Sequence, residues 1–349
     1  MARWSDGELR SAQAVLSARW LRPGVAGTRG VRRAAVWSAG VVHGVGIGRK
    51  WVGGRPTPER CVRIHVLRKL ARRDVPLREM LPASIDGIAT DVVVAPLARA
   101  SVRERRPLAP ATPPSSRERR SARRPLVAGV SVAHHAVTAG TIAAFVRSTR
   151  RGDDAEVVHL LSNHHVLAGG VRPAAGDDVL QPGPYDGGTD EHHVADLHRF
   201  VPVRIGGRAA NRVDAAMARL RRGMDWRPQI CSIGRVRGQG LAEDGLFVKK
   251  HGRTTGLTEG VVTDVAYDAL VAMDEADGEV EARFTDQIRL ASRGDSPVGL
   301  GGDSGSLVVT LESAPRAIGL YFAGSEDGSY GVANPIDAVL ERLEVEILP

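Results

Sequence analysis

Gly301-Gly302-Asp303-Ser304-Gly305-Ser306, running straight into Leu307-Val308-Val309, is the stretch on which the reading of this 349-residue chain turns. Its serine is flanked by small residues and precedes an apolar run, the placement of an exposed nucleophile ahead of a buried strand. Glycines let the backbone turn tightly and come close to another molecule. The amides of Gly302 and Ser304 would then point into one hollow and stabilise an oxyanion during acyl transfer. A plain glycine-rich turn before a strand accounts for the same letters, so other segments have to decide.

A nucleophilic serine needs a base, and the base needs an orienting group. Leu160-Leu161-Ser162-Asn163-His164-His165-Val166-Leu167-Ala168 offers two adjacent bases. They follow an apolar strand, Val157 to Leu161, and open a short helical turn, so only one of them faces inward. Asn211-Arg212-Val213-Asp214-Ala215-Ala216-Met217-Ala218 offers the acid. A lone carboxylate among apolar residues is costly to bury, and a histidine N–H is a natural partner for it. The order is His, Asp, Ser, with 49 residues from His165 to Asp214 and 90 from Asp214 to Ser304. The chymotrypsin template has that order with separations of about 45 and about 93, whereas the subtilisin order begins with Asp.

On these motifs the chain resembles the trypsin-like (chymotrypsin-fold, PA clan) serine proteases, nearer the bacterial, HtrA-like branch than the secreted digestive enzymes. S-N-H-H-V-L-A resembles that branch's T-N-x-H-V-V, which implies that His165 is the base and His164 its neighbour. V-D-A-A-M-A resembles its D-I-A or D-L-A segment and implies the orienting role for Asp214. G-D-S-G-S resembles the nucleophile loop, implying attack by Ser304 and an oxyanion hole from Gly302 and Ser304. Gly319-Leu320-Tyr321-Phe322-Ala323-Gly324 resembles the substrate-binding strand, which implies substrate contacts at Phe322, Ala323 and Gly324. Tyr330-Gly331-Val332-Ala333-Asn334-Pro335-Ile336 resembles the strand leading into a C-terminal helix. A narrower likeness, to bacterial proteins related to the plant Narrow Leaf proteases, rests mostly on glycine turns. These are His43-Gly44-Val45-Gly46-Ile47-Gly48, Ile85-Asp86-Gly87, Gln181-Pro182-Gly183 with Asp186-Gly187-Gly188, and Gly252-Arg253-Thr254-Thr255-Gly256-Leu257-Thr258.

Departures from the family pattern bear on specificity. Ser296-Pro297-Val298-Gly299-Leu300 carries no acid where trypsin has its specificity aspartate. Alignment puts Val298 at the floor of the primary pocket, which favours an apolar or small residue. Ala323 stands where the digestive enzymes carry tryptophan, implying a shallower wall.

Length suggests two or three domains, and 40 glycines with 20 prolines favour short strands joined by turns. The expected fold is mainly β. A small α+β N-terminal domain (residues 1–96), with a docking helix capped by Ser5, precedes an Arg/Pro-rich linker (97–126). A double antiparallel β-barrel with a C-terminal helix follows (127–349). Val41 to Ile47, Cys61 to Val66 and Thr90 to Val94 read as strands, Arg68 to Met80 as helical, and G-V-G-I-G as a turn or bulge. Cys61 and Cys231 lie far apart, which argues against a disulfide and for a reducing compartment. No 18-residue apolar stretch reads as a membrane span, and no signal peptide is evident, so the expected location is cytoplasmic.

The formal charge of +8 invites a nucleic-acid reading, but nine arginines and two glutamates fall in residues 97–126. The rest is near neutral, so no folded unit shows a basic face. The pairs His134-His135 and His192-His193 suit surface or turn positions better than metal chelation, because neighbours on a strand point apart. No zinc spacing is present; Asp177-Asp178 and Asp186-Gly187-Gly188 read as turns, with calcium binding the alternative there. The expected activity is a serine endopeptidase without cofactor or metal, with a protein or peptide substrate, no nucleic-acid or membrane partner, and a homo-oligomer left open. The competing class is a protease fold that has lost turnover and binds peptides in the same cleft.

Overall fold

The computed structural model describes residues 4–21, 42–100, 114–169, 172–205, 209–275 and 278–349. Short Val-, Ala- and Leu-rich runs after residue 126 form two antiparallel sheets, and each closes on itself. In the first, Ser131–His134, Gly140–Ser148, Val158–Ser162, Ala216–Leu220, His193–Phe200 and Asp178–Leu180 pair in that circular order. Gly140–Thr141 and Ala144–Ser148 are two ends of one run. The amides of Ile142 and Ala143 between them reach Val130 O and Leu161 O at 3.0 and 2.8 Å. In the second, Phe247–Gly252, Gly256–Glu275, Gly278–Ser292, Tyr330–Pro335, Ala317–Gly324 and Leu307–Thr310 form the ring. The fold is therefore mainly β, with the two antiparallel barrels of the chymotrypsin type.

Closure removes exposed sheet edges and turns alternate side chains inward. Phe145, Leu160, Ala218, Leu197 and Val179 share one face and fill the first barrel, and Val248, Val262, Ile288, Leu290 and Val308 fill the second. The helix Ile336–Leu343 follows the second barrel and puts Ile336, Val339, Leu340 and Leu343, one apolar face, into the cluster that first-barrel residues share with Leu307, Ala317 and Leu320 of the second. Val345–Ile347 then pairs with Ala144–Ser148, so the chain end clasps both barrels.

Ser5 caps the N-terminal helix Asp6–Trp20 through a capping box with Glu8, a device whose loss costs about 1 kcal/mol. Leu9, Ala12 and Leu16 on that helix share an apolar cluster with Val45, Ile47, Val62 and Ile64. The strands Val42–Val52, Arg55–Val66 and Ile88–Val94 pair in succession, and the first of them pairs with Gly256–Glu275 (Gly44 opposite Ala269). The N-terminal strands thus extend the second barrel's sheet while keeping a core cluster of their own. The G-V-G-I-G run lies inside a strand with a register shift between Val45 and Ile47, a bulge; Gly44 makes room for the Tyr267 hydroxyl.

One expectation fails. Arg68 to Met80 forms no α-helix but two single 3-10 turns, Arg72–Asp74 and Leu77–Glu79. Pro76 between them lacks the N–H and clashes with a preceding helical turn. Of the Arg/Pro-rich segment, residues 101–113 lie outside the described residues; Ala98–Ala100 pairs alongside Val271–Met273 and Pro114–Arg120 is helical. Both cysteines are free thiols. Among the described residues no helix is long and apolar enough to cross a membrane.

Candidate active site

The seam between the barrels collects the residues singled out above. His165 stands on the single helical turn His164–Leu167 that follows the strand Val158–Ser162 of the first barrel. Asp214 precedes the neighbouring strand Ala216–Leu220. His165 Nδ1 lies 2.5 Å from Asp214 Oδ2, and its own amide donates to Asp214 Oδ1 at 3.2 Å. Asp214 is fully buried. Burial pushes its carboxyl up, but the charge and hydrogen bonds of His165 outweigh that and hold it below the usual range. His164 is turned instead against the Phe200 ring, 5.4 Å between centroids, and burial pulls its imidazole down.

Ser304 comes from the second barrel, at the turn before Leu307–Thr310. Its Oγ donates to the Phe322 carbonyl at 3.3 Å, and His165 Nε2 has no hydrogen-bond partner among the described residues. The His165–Asp214 pair is formed, and the Ser304 hydroxyl is bonded to Phe322 rather than to His165. Serine–base contacts often tighten only once substrate is bound. The amides of Gly302 and Ser304 donate to no acceptor among the described residues, while those of Asp303, Gly305 and Ser306 are all engaged. Gly302 adopts φ +89°, and a Cβ there would stand 2.6 Å from Thr254 Oγ1; only glycine fits this turn.

Sequence reasoning missed what holds that turn. Asp303 is fully buried and points away from Ser304 to meet Lys250 Nζ at 3.1 Å. Its two oxygens also accept from the amides of Thr254, Thr255 and Leu300 at 2.8, 3.1 and 3.0 Å, and from Thr255 Oγ1 at 2.7 Å. Burial pushes the Asp303 carboxyl up, and Lys250 with these donors brings it below its usual range. Burial pulls Lys250 down despite its partner. The unassigned G-R-T-T-G motif is therefore the cradle of Asp303, and Asp303 sets the backbone that carries Gly302 and Ser304. Arg253 in that motif pairs with Asp186 through Nε (2.6 Å) and Nη2, joining it to the Gln181–Gly188 loop of the first barrel.

Asn163 braces the Asp214 segment within the first barrel, and Asn334 and Thr141 lock the two barrels together at the site. Asn163 Nδ2 donates to Asp214 O at 2.8 Å, and Asp214 N donates to Asn334 Oδ1 on the second barrel at 3.0 Å. Thr141 Oγ1 donates to Gly302 O at 3.0 Å, and its amide to Ser304 O at 2.8 Å. The asparagines of S-N-H-H and V-A-N-P flank motifs already recognised, which is the one sequence signal that could have found them.

The residues assigned to substrate contact are divided. Phe322 turns its ring into the core, 4.6 Å from Phe284, and offers only its backbone to the cleft. Ala323 is buried in the same strand, which ends at Gly324. Val298 is buried in one apolar cluster with Tyr321. On the first barrel, Asp178, His193 and Asp196 lie close enough to share a cation, and His193 Nε2 is 2.8 Å from Asp196 Oδ1.

No protein-family model matches the chain, and no curated protein does. Solved structures are similar to it in shape. Thermobifida fusca Protease A is 18% identical with TM-score 0.43, over 64% of this chain and 97% of its own. A glutamic acid-specific serine protease is 16% identical with TM-score 0.43, over 64% of this chain and 100% of its own. Cellulomonas bogoriensis chymotrypsin is 17% identical with TM-score 0.40, over 64% and 97%. At these values the circular strand order of the two barrels, not the likeness, carries the fold.

Proposed function

We propose that the chain is a serine endopeptidase acting on protein or peptide substrates. What supports this reading is the buried His165–Asp214 pair on the first barrel, whose His165 Nε2 has no partner among the described residues, together with Ser304 on the second barrel and the Gly302 and Ser304 amides that have no acceptor among them. In the reaction, Ser304 Oγ leaves the Phe322 carbonyl, gives its proton to His165 Nε2 and bonds to the substrate carbonyl carbon. The oxygen takes up negative charge against the Gly302 and Ser304 amides. Asp214 fixes the imidazole tautomer and stabilises the imidazolium. As the oxyanion collapses, the C–N bond breaks and the amine leaves with the proton held by His165. Water then attacks the acyl-enzyme, giving its proton to His165 and its oxygen to the new carboxylate, and Ser304 recovers its hydrogen. The closer kinship with the HtrA-like branch and the Narrow Leaf group belongs to this reading and rests on the sequence motifs alone.

The Ser304–Phe322 hydrogen bond favours a second reading, a protease fold that binds peptides without turnover. A fluorophosphonate probe separates the two. The enzyme reading expects labelling that Ser304→Ala abolishes, that His165→Ala slows severely and that His164→Ala leaves. A folded wild-type protein that resists the probe and cleaves no peptide in a mixed library sinks it in favour of the second.

A further inference from the structure

On the protease reading and the motif resemblance, the side chain of the residue whose carbonyl Ser304 attacks would lie between Val298–Gly301 and Phe322–Gly324. That slot is walled by glycines: Gly299 on the first segment, Gly324 on the second, and Gly331 on the paired strand Tyr330–Pro335, opposite Gly324. Walls without side chains make a wide slot, yet here it is filled from within. A Cβ added at Gly299 would lie 2.6 Å from Tyr321 Cζ, at Gly324 2.4 Å from its Oη, and at Gly331 2.3 Å from its Cε2. One ring therefore lies flush against three backbones, and Tyr321 is only 2% exposed.

Behind the ring the slot is shut. The Val298 amide donates to Gly328 O at 2.9 Å, and its carbonyl accepts from Thr258 Oγ1 at 2.9 Å. The ring is also pinned. Lys250 Nζ sits 5.1 Å from its centroid, a cation–π contact, and Lys250 is itself anchored on Asp303. The Tyr321 backbone is tied to the nucleophile loop in both directions, its amide to Ser306 O at 3.0 Å and its carbonyl to the Gly305 amide at 2.9 Å.

We propose that Tyr321 plugs the primary side-chain pocket and confines cleavage to bonds whose acyl residue is glycine or alanine. The proposal rests on the protease reading above and names the substrate class of that same site. A leucine or phenylalanine side chain needs the volume the ring occupies, and moving the ring breaks the lysine contact and opens a gap in the second barrel. Misfits of a single methylene in a fitted pocket already change kcat/KM about 10- to 200-fold. Alanine over phenylalanine is therefore expected to exceed about 100-fold.

The test uses the full chain and fluorogenic peptides identical except for Gly, Ala, Val, Leu or Phe at the acyl position. A fluorophosphonate too small to enter the slot counts competent Ser304 in every sample. The wild type is expected to cleave only the Gly and Ala peptides at measurable rates. Tyr321→Ala, and Tyr321→Val, which suits a strand better, are expected to raise kcat/KM for the Leu or Phe peptide at least about tenfold per labelled site. Wild-type protein that labels at Ser304 and cleaves Leu or Phe peptides as well as Ala overturns the plug and leaves the protease reading standing; this needs no variant to fold. A variant that labels but keeps the wild-type preference overturns it too. Absence of Ser304-dependent labelling in every folded protein overturns both.

Discussion

Replacing Lys250 by methionine removes an ammonium while keeping most of its stem, so the change isolates a charge. In the folded chain Lys250 is 1% exposed and Asp303 is not exposed at all, with 3.1 Å between Nζ and Oδ2. Lys250→Met leaves Asp303 in a dry site without a counter-charge, and removing one member of a buried pair costs about 3–5 kcal/mol. Asp303 keeps three amide donors and one hydroxyl, which puts the expected loss at the lower end, about 3 kcal/mol. Burial then drives the carboxyl upward. A protonated Asp303 cannot accept from all four donors, so the Thr254-Thr255 turn loosens and the Gly302 amide moves with it. One misplaced oxyanion donor slows acyl transfer about 10²- to 10³-fold. Urea unfolding at pH 7 reads the first effect, and the rate of fluorophosphonate labelling at Ser304 reads the second. The double variant Lys250→Met/Asp303→Asn buries no charge and is expected to regain most of the lost stability while labelling remains slow. If Lys250→Met unfolds at the wild-type urea concentration and labels at the wild-type rate, the ion pair does not hold the loop and the reasoning is wrong.

Three further outcomes are expected. Asp214→Asn keeps the volume but loses the charge facing His165 and is expected to reduce labelling and any peptide cleavage about 10⁴-fold; a loss below tenfold contradicts the orienting role. Gly302→Ala forces a side chain into a +89° backbone against Thr254 and Arg253. Strain of about 1–3 kcal/mol should appear in unfolding midpoints together with slowed labelling, and a fully active, fully stable variant argues against the turn described. Burial pulls His65 and His251 down to about 4. The unfolded chain therefore binds protons below pH 6.5 that the fold refuses, and stability falls as pH drops from there toward 4, by about 3 kcal/mol per histidine. His251→Gln should flatten the slope of stability against pH across that window; an unchanged slope excludes His251 as a contributor.

How much of this was legible in the sequence depended on distance along the chain. Chain order and local motifs were enough to bring His165, Asp214 and Ser304 forward, because each lies in a short segment with its own signature. Lys250 was not legible. Lys249-Lys250 alternates on a strand, so one side chain must face inward, but nothing local says which, and its partner is 53 residues away. Tyr321 read as an ordinary strand residue because its role depends on three glycines that meet only when the second barrel closes. The Arg68–Met80 segment misled through its charged, helix-favouring residues, with Pro76 outweighing their propensity.

The long hairpin Gly256–Glu275/Gly278–Ser292 serves two neighbours at once. Near its base it is a stave of the second barrel, and beyond that it lends its outer edge to Val42–Val52 and shares Ala266 and Leu270 with the N-terminal cluster. Cutting the chain after residue 96 would strip that edge bare, leaving unpaired amides and apolar side chains facing water on a strand only a few residues from the Asp303 cradle. Such an edge invites another copy to pair with it. A shortened protein would therefore meet its first difficulty in staying apart from its own kind, before any question of catalysis arises.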